Sequence, residues 1–473
     1  MITLKNIIFS LCGYEGNIPD IAITAAAIDS RVVIPGSLFI ALPGERVDGH
    51  SFVAQAFQMG ALIALVEKDF SGQFPILDLR SSINIKKIVN LSVPLCLHVD
   101  NSLKAMQKIA HYWRRKLLVR VIAITGSVGK SSTKELVAEV LSQKYTTFKN
   151  PGNYNNEIGL PLTILNTGAG YQRIVLEMGF YQPGEINFLC DIAQPNIGIL
   201  TNVGTVHAER AGSQIEIAKG KAELVQALPD DPGGIAILNY DDPLVRAMAE
   251  KTRAKVLTYG LDPRADLWAD QIQSKGLNGL SFNLHYDGKE IELKTPLLGK
   301  HSVMTALRAV AAGWVDDMSM DEIARGLLSG YSQLRMRIVK TDSGALILDD
   351  TYNATPESTM AALDILAEMN GTKIAVLGDM LELGSYEVEG HQQVGRYAAG
   401  IIDMLIAVGS LGKIIAEAAR AEGIPAANVV YRANAKQAAT TLLPFLKEGV
   451  SVLVKGSHGI RMDKIAAILE ESI

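Results

Sequence analysis

An α/β architecture of three domains is what this sequence predicts, and three observations predict it. With 473 residues the chain exceeds what one hydrophobic core organises. Short apolar runs alternate with helix-compatible stretches along most of its length, the pattern of mostly parallel sheets with crossover helices. The composition, 48% hydrophobic and 20% charged with Gly 42 and Pro 17, is that of a compact folded chain, not a disordered or fibrous one. The expected units are a small N-terminal α/β domain at 1–100, a central phosphate-loop domain with a mostly parallel sheet at 101–330, and a Rossmann-like doubly wound domain at 331–473.

The first unit rests on the β-type runs SLFIAL, ALIALVE and LCLHV, with the loop GERVDGH between the first two. From Asn101 the helical pattern SLKAMQKIAHYWRRKLL leads into VIAITG, and RIVLEMG, NIGILTNVG and GIAILN follow, each with a helix-compatible segment behind it. Between Ala265 and Leu298 the pattern turns to alternating strands with Asn-Gly and Asp-Gly turns, which predicts antiparallel hairpins added to that sheet. A helix from His301 to Trp314 closes the unit. The third unit starts with the hairpin RIVKTDSGALILDD and continues through KIAVLGD, MLIAVG and SVLVKGS, alternating with helices such as PESTMAALDILAEM.

The most informative stretch is VIAITGSVGKSSTK, Val121 to Lys134: strand, glycine-bearing turn, then Lys-Ser-Ser opening a helix. Backbone N–H groups around Gly126 and Gly129 and the positive end of the helix favour phosphate, Lys130 can reach the β- and γ-phosphates, and Ser131 can offer its hydroxyl to Mg²⁺. The match is shortened, because Ile124 stands where the strict pattern has its first glycine. Strand-end polar residues supply the other candidates. Glu177 ends RIVLE, where open α/β sheets bind ligands, and His207 follows ILTNVGTV at the corresponding edge. By position alone Glu177 reads rather as a solvated strand-end carboxylate and His207 as a surface residue. Lys219 and Lys221 fall near the border of the apolar face of SQIEIAKGKAELVQAL, and from that spacing both read as solvated. Asp349 and Asp350, GDMLELG and KGSHG all follow apolar strands, so polar loops converge on one edge and an interdomain cleft for a nucleotide and a second substrate is expected.

Composition excludes other classes. A formal net charge of −5 offers no basic footprint for nucleic acid. Cys12, Cys96 and Cys190 are an odd, scattered trio, which speaks for a reducing compartment and against a zinc ribbon. The first residues, MITLKNIIFSLCG, lack a basic leader region, and no apolar run reaches membrane-spanning length, so a cytoplasmic protein without membrane partner is expected.

Taken in order, TGSVGKSSTKE, NYNNEIGLPLTIL, LEMG, TNVGTVH, AKGKAEL, DDTYNATP, GDMLELG and KGSHG closely resemble the Mur ligase family. Within it, GNYNNEIGLPLTIL, DDTYNATPES and LGDMLELG are most similar to members that join D-alanyl-D-alanine to UDP-N-acetylmuramoyl-tripeptide with ATP during peptidoglycan synthesis. The resemblance implies an ATP- and Mg²⁺-dependent ligase acting as a monomer on these two small molecules. It implies ATP contacts from Thr125, Gly126, Ser127, Val128, Gly129, Lys130, Ser131 and Ser132, with Arg335 and Asp350 closing over the nucleotide. It implies metal contacts from Ser131, Glu177, His207 and Lys221, the last carbamylated by CO₂, with Lys219 two residues away as the other possibility. Lys130, Glu177, His207 and Lys221 are thereby the catalytic set. The segment Asp29 to Phe52 is similar to the family's UDP-sugar segment, which implies substrate contacts from Ser30, Arg31, Asp48, Gly49 and His50. Asn155, Asn156, Tyr352, Asn353, Lys455, Ser457 and His458 complete the implied substrate set.

Two departures stand out. Where relatives show His-Asn-x-x-Asn facing adenine, this chain has His301, Ser302 and Thr305, so hydroxyls replace amides. His458 stands where many relatives carry Arg, with Arg461 one turn on as a substitute for that charge. Competing readings are another Mur-type ligase adding a single amino acid, a phosphate-loop kinase or ATPase switch, and a nucleotide-binding regulator. GDMLELG and DDTYNATP weigh against the first.

Overall fold

The computed structural model describes residues 1–44, 47–80, 91–204, 213–329 and 336–471. Three sheets form in chain order, their central strands made of runs of small and β-branched apolar residues buried on both faces, as covered parallel strands require. The first contains β1 (Ala26–Ala27), β2 (Leu38–Ile40), β3 (Ile63–Val66), β4 (Ile76–Asp78) and β5 (Leu95–His98), all parallel, in the order β1-β2-β3-β5-β4.

The second sheet is the largest. It contains β6 (Arg120–Thr125), β7 (Thr147–Lys149), β8 (Arg173–Glu177), β9 (Ile197–Leu200), β10 (Ile235–Asn239), β11 (Lys255–Gly260), β12 (Leu267–Ser274), β13 (Leu280–Tyr286) and β14 (Lys289–Thr295). Their order is β14-β13-β12-β11-β10-β9-β6-β8-β7. Strands β7 to β12 pair in parallel, and β13 and β14 add the expected antiparallel hairpin, turned by Asp287 and Gly288 with both residues at positive φ. The third sheet contains β15 (Arg337–Lys340), β16 (Leu346–Asp350), β17 (Thr372–Gly378), β18 (Met404–Val408), β19 (Val429–Arg432) and β20 (Val450–Lys455), ordered β15-β16-β20-β17-β18-β19. Only the β15–β16 hairpin in it is antiparallel.

Register aligns the strand ends. Ile124 pairs with Glu177 and Thr125 with Leu200, so the loop after β6 leaves the sheet level with the carboxylate that ends β8. In the third sheet Asp350 pairs with Lys455, and Lys455 with Leu377, which brings three strand-end loops side by side.

The first two sheets share one core. A continuous apolar cluster runs from Ile2 through Met106, Ile109 and Trp113 to Leu224 and Ala254. Part of it is the buried face of helix Ser102–Lys116, whose N-cap Asn101 accepts from Lys104 N–H at 2.7 Å and whose last turn is basic, complementing the helix dipole. Burying side chains of this size stabilises by about 1.5–3 kcal/mol each. Asn166 adds a two-point amide pairing, accepting from Ala26 N–H at 2.9 Å and donating to Ala26 C=O at 3.0 Å, which occupies backbone groups of β1. The third sheet keeps separate cores on its two faces. A hydrogen bond from Ser274 Oγ to Glu368 Oε2 at 2.5 Å ties the end of β12 to the third domain. Among the described residues no helix is long and apolar enough to cross a membrane.

Candidate active site

The loop Gly126–Gly129 joins β6 to helix Lys130–Leu141 and is contorted by two glycines that only glycine tolerates. Gly126 has φ +147°, and a Cβ there would lie 1.8 Å from Thr201 Oγ1; Gly129, the helix N-cap, has φ +84°. The strand-end loop after β9 clamps this turn. Ser127 N–H donates to Asn202 C=O at 2.9 Å, Val128 N–H to Asn202 Oδ1 at 2.9 Å, and Ser127 Oγ accepts from Gly204 N–H at 2.8 Å. Lys130 Nζ folds over the loop onto the carbonyls of Gly126 (2.9 Å) and Ser127 (3.2 Å). Thr125 is buried beneath it, its hydroxyl on Met178 C=O.

Glu177 is 2% exposed, which corrects its reading as a solvated strand-end carboxylate. Ser131 Oγ donates to its Oε2 at 2.5 Å and Asn155 Nδ2 to its Oε1 at 2.9 Å, while Asn150 binds its backbone on both sides. Both carboxylate oxygens are thus oriented by neutral donors. A serine hydroxyl and a carboxylate form a hard oxygen pair of the kind Mg²⁺ takes, the remaining positions normally going to phosphate and water. Among the described residues no group of three or more His, Cys, Asp or Glu could hold a metal without such help.

Lys221 overturns its sequence reading as a solvated helix-border residue. It is 1% exposed, and among the described residues its Nζ has no hydrogen-bond partner, only the ring of Phe180 with its centroid at 4.9 Å. Burial first, and the positive charge of Lys130 second, push its pKa well below the ordinary lysine value. The reason is packing: Gly220 lets the Phe180 ring lie against helix Gln214–Gln226, covering a face that periodicity leaves open. Lys219, by contrast, is exposed and paired with Glu216 at 2.7 Å.

The third domain supplies the facing wall. Lys455 Nζ bonds Asp350 Oδ2 at 2.5 Å and Asn353 C=O at 2.9 Å, with the lysine side chain 3% and the aspartate 13% exposed. Asp349 takes the structural part of the pair, accepting from Thr351. Thr355 and Ser358 form a capping box that starts helix Pro356–Ala367. Ser457 joins the loops, donating its N–H to Asp379 C=O at 3.0 Å and accepting from Leu381 N–H at 2.9 Å. His391 accepts from Met380 N–H with Nε2 and donates from Nδ1 to Glu387 C=O, bracing GDMLELG from behind.

Between the two walls lies a cavity of ≈ 690 Å³. The central domain contributes Ser127, Val128, Gly129, Lys130, Ser132, Asn155 and Glu177 to it, and the third domain Asp350, Tyr352, Asn353 and Lys455. Its apolar part is formed by Leu297, Leu298, Met304, Ala361 and Ile365 beside His301, Ser302 and Thr305. Ser302 Oγ is committed to Leu298 C=O at 2.6 Å. Sequence reasoning missed Asn202, Glu357 and Arg308, all of which face this space. For Arg308 the signal was there: it is the only charged residue in the apolar helix Val303–Val315.

Other expected site residues lie elsewhere. Asn156 accepts from Gly159 N–H at 2.9 Å at the start of helix Gly159–Leu165 and does not line the cavity. Ser30, Arg31, Asp48, Gly49 and His50 belong to the first domain and do not line it either. Arg31 pairs with Asp29; Ser30 donates to Gln55; His50 is 5% exposed, with Nδ1 on Asp48 at 2.6 Å and Nε2 accepting from Glu67 N–H at 2.8 Å. Arg461 is held by Asp463 in a two-nitrogen contact, so its charge is spent locally, and neither it nor His458 nor Ser457 lines the cavity. His207 and Arg335 lie outside the described residues.

The models described as Mur ligase family, catalytic domain, Mur ligase middle domain, and Mur ligase, glutamate ligase domain match residues 22–113, 124–313 and 334–458. The UDP-N-acetylmuramoyl-tripeptide--D-alanyl-D-alanine ligase of Bacillus subtilis is 36% identical, covering 99% of this chain and 98% of its own. The chain belongs to the Mur ligase family. The Escherichia coli enzyme of the same name is 32% identical over 96% of this Mur ligase and 95% of its own length. Among solved structures, MurF from Acinetobacter baumannii superposes with a TM-score of 0.83 at 28% identity, covering 99% and 98% of the two chains. MurF ligase from Thermotoga maritima in complex with ADP gives 0.78 at 26% identity over 96% and 100%.

Proposed function

We propose that this Mur ligase joins D-alanyl-D-alanine to the terminal carboxylate of UDP-N-acetylmuramoyl-tripeptide at the expense of ATP, forming the pentapeptide precursor of peptidoglycan. The observation that carries the reading is the shared cavity: a phosphate loop with Lys130 and Glu177 on one wall, an Asp350–Lys455 pair on the other. Relatives that carry this name over almost the whole chain support it.

The chemistry has two balanced steps. A carboxylate oxygen of the tripeptide attacks the γ-phosphorus of ATP and the bond to ADP breaks, giving an acyl phosphate. The amine of D-alanyl-D-alanine then attacks the acyl carbon, inorganic phosphate leaves, and the nitrogen gives up a proton. Both partners of the first step are anions, so charge neutralisation and in-line alignment dominate. Lys130 and the first-turn amides of helix Lys130–Leu141 meet the phosphates. Ser131 and Glu177 would hold Mg²⁺, which when bound neutralises charge on the transferring phosphoryl group. Asn155 and Ser131 keep the Glu177 carboxylate aimed. Asp350, Asn353 and Lys455 bring the second wall against the nucleotide and acceptor.

Lys221 fits a carbamate. Among the described residues its amine has no hydrogen-bond partner, and it is held toward the neutral form, the form whose nitrogen attacks CO₂, forming an N–C bond and releasing one proton. The product carries two oxygens and a negative charge beside Lys130, relieving the like-charge repulsion and adding a metal-directed ligand to Glu177. Lys219, exposed and paired, offers none of this.

Following phosphate release with ATP, UDP-N-acetylmuramoyl-tripeptide and D-alanyl-D-alanine, omitting each in turn, tests the reading. Release that needs all three is expected. ATP turnover without the dipeptide would reassign the chain as a kinase or ATPase switch, and a requirement for a single amino acid would make it a different Mur-type ligase.

A further inference from the structure

Arg308 is 4% exposed, lines the cavity, and among the described residues forms no ion pair with any carboxylate. A buried guanidinium normally has an anion beside it. This one has hydroxyls instead. Its Nε donates to Tyr259 Oη at 2.7 Å, and one terminal nitrogen donates to Thr133 Oγ1 at 3.0 Å and, more loosely, to Thr305 Oγ1 at 3.5 Å.

Each of the two close hydroxyls relays onto the phosphate loop. Thr133 Oγ1 donates to Gly129 C=O at 2.7 Å. Tyr259, fully buried, donates onward to the Leu200 and Thr201 carbonyls at 2.9 and 3.2 Å, and Thr201 is the residue packed under Gly126. The same terminal nitrogen lies 3.1 Å from the Cβ position of Gly129. The carboxylates near Tyr259 are spent on backbone amides: Asp242 on Val203 and Leu244, Asp241 on Leu261. Those carboxylates are thus occupied, and none of them pairs with the guanidinium.

We propose that Arg308 is a nucleotide-positioning residue. Its uncompensated charge, fixed by Tyr259 and Thr133 against the phosphate loop, attracts the polyphosphate of the bound nucleoside di- or triphosphate. The anion missing from its surroundings is the ligand's. This inference rests on the nucleotide reading of the cavity.

Calorimetric titration of the full chain with Mg-ADP and with adenosine tests it, using Arg308→Gln, which keeps hydrogen bonding but not charge, and Arg308→Lys, which keeps charge. Arg308→Gln is expected to weaken ADP about tenfold and leave adenosine unchanged, the size of one charge-assisted contact. Arg308→Lys is expected to retain most ADP affinity, and in turnover Arg308→Gln should raise KM for ATP more than it lowers kcat. Unchanged ADP affinity in Arg308→Gln, equal losses for ADP and adenosine, or no rescue by Lys would each overturn the proposal. If Arg308→Gln does not fold, the salt dependence of ADP affinity in Arg308→Met against the unaltered chain decides: a shallower slope supports the charge role, equal slopes refute it. Failure of the unaltered chain to bind ADP would sink the nucleotide reading itself.

Discussion

Lys221 lies buried within reach of the positive charge of Lys130, which adds to burial in holding the Lys221 amine toward its neutral form. Lys130 is anchored on loop carbonyls, while among the described residues Lys221 has only the aromatic ring of Phe180. An amine so placed is better suited to become an anion than to remain a cation.

Replacing Lys221 by Ala is expected to cut turnover by about two to three orders of magnitude, the scale of losing one preorganised electrostatic group. Formate or acetate should recover part of it by occupying the vacated carbamate position. Phosphate-release rates with and without the added acids measure this, and full activity in the plain variant would refute the carbamate.

The same residue makes a stability prediction of opposite direction. Because the folded pKa of Lys221 lies below 10.5, the unfolded chain binds more protons in the window between the two values. Stability should therefore rise with pH across that window and be lowest below the folded value. In CO₂-free buffer Lys221→Met should be more stable than the unaltered chain at pH 7, and that advantage should vanish by about pH 10.5. Urea midpoints at several pH values read this directly.

Asp350 and Lys455 form a nearly buried pair, so breaking one side strands the other. Asp350→Asn is expected to lower stability by about 3 kcal/mol, and Asp350→Asn with Lys455→Met to recover part of the loss. Chemical denaturation of the single and double variants gives the coupling.

Gly126→Ala forces a methyl into Thr201 Oγ1 at a φ of +147° and should displace the phosphate loop, weakening ADP by more than tenfold. Gly72→Ala, whose added methyl has no atom within 4 Å, is the control expected to leave binding unchanged. Equal affinities in both variants would show that the loop does not hold the nucleotide.

Strand ends were legible in the sequence because an apolar run followed by a polar residue locates a sheet edge without further information, and Glu177, Asp350 and Lys455 all end strands. The strands not anticipated were short or partly exposed: β1 has two residues, and none of the three in β7 is fully buried. The spacing of its helix misplaced Lys221 for a different reason. Helix periodicity reports how a segment meets its sheet, but the cover over Lys221 is Phe180, delivered by a loop some forty residues upstream. His50 was legible as polar but not as internal, since its partners Asp48 and Glu67 come from a turn and from the residue following a neighbouring strand. Arg308 was visible as a lone charge in an apolar helix, yet only the fold shows that hydroxyls surround it.

The cavity has walls from two domains whose cores are separate, so its occupant is also a mechanical link. Without it, the third domain is expected to melt at its own temperature. A molecule gripping both walls makes the loss of either domain cost the binding energy as well, drawing two unfolding events toward one sharper transition that moves with ligand concentration. Substrate saturation would thus act as a proofreader of integrity, favouring chains in which every domain has folded.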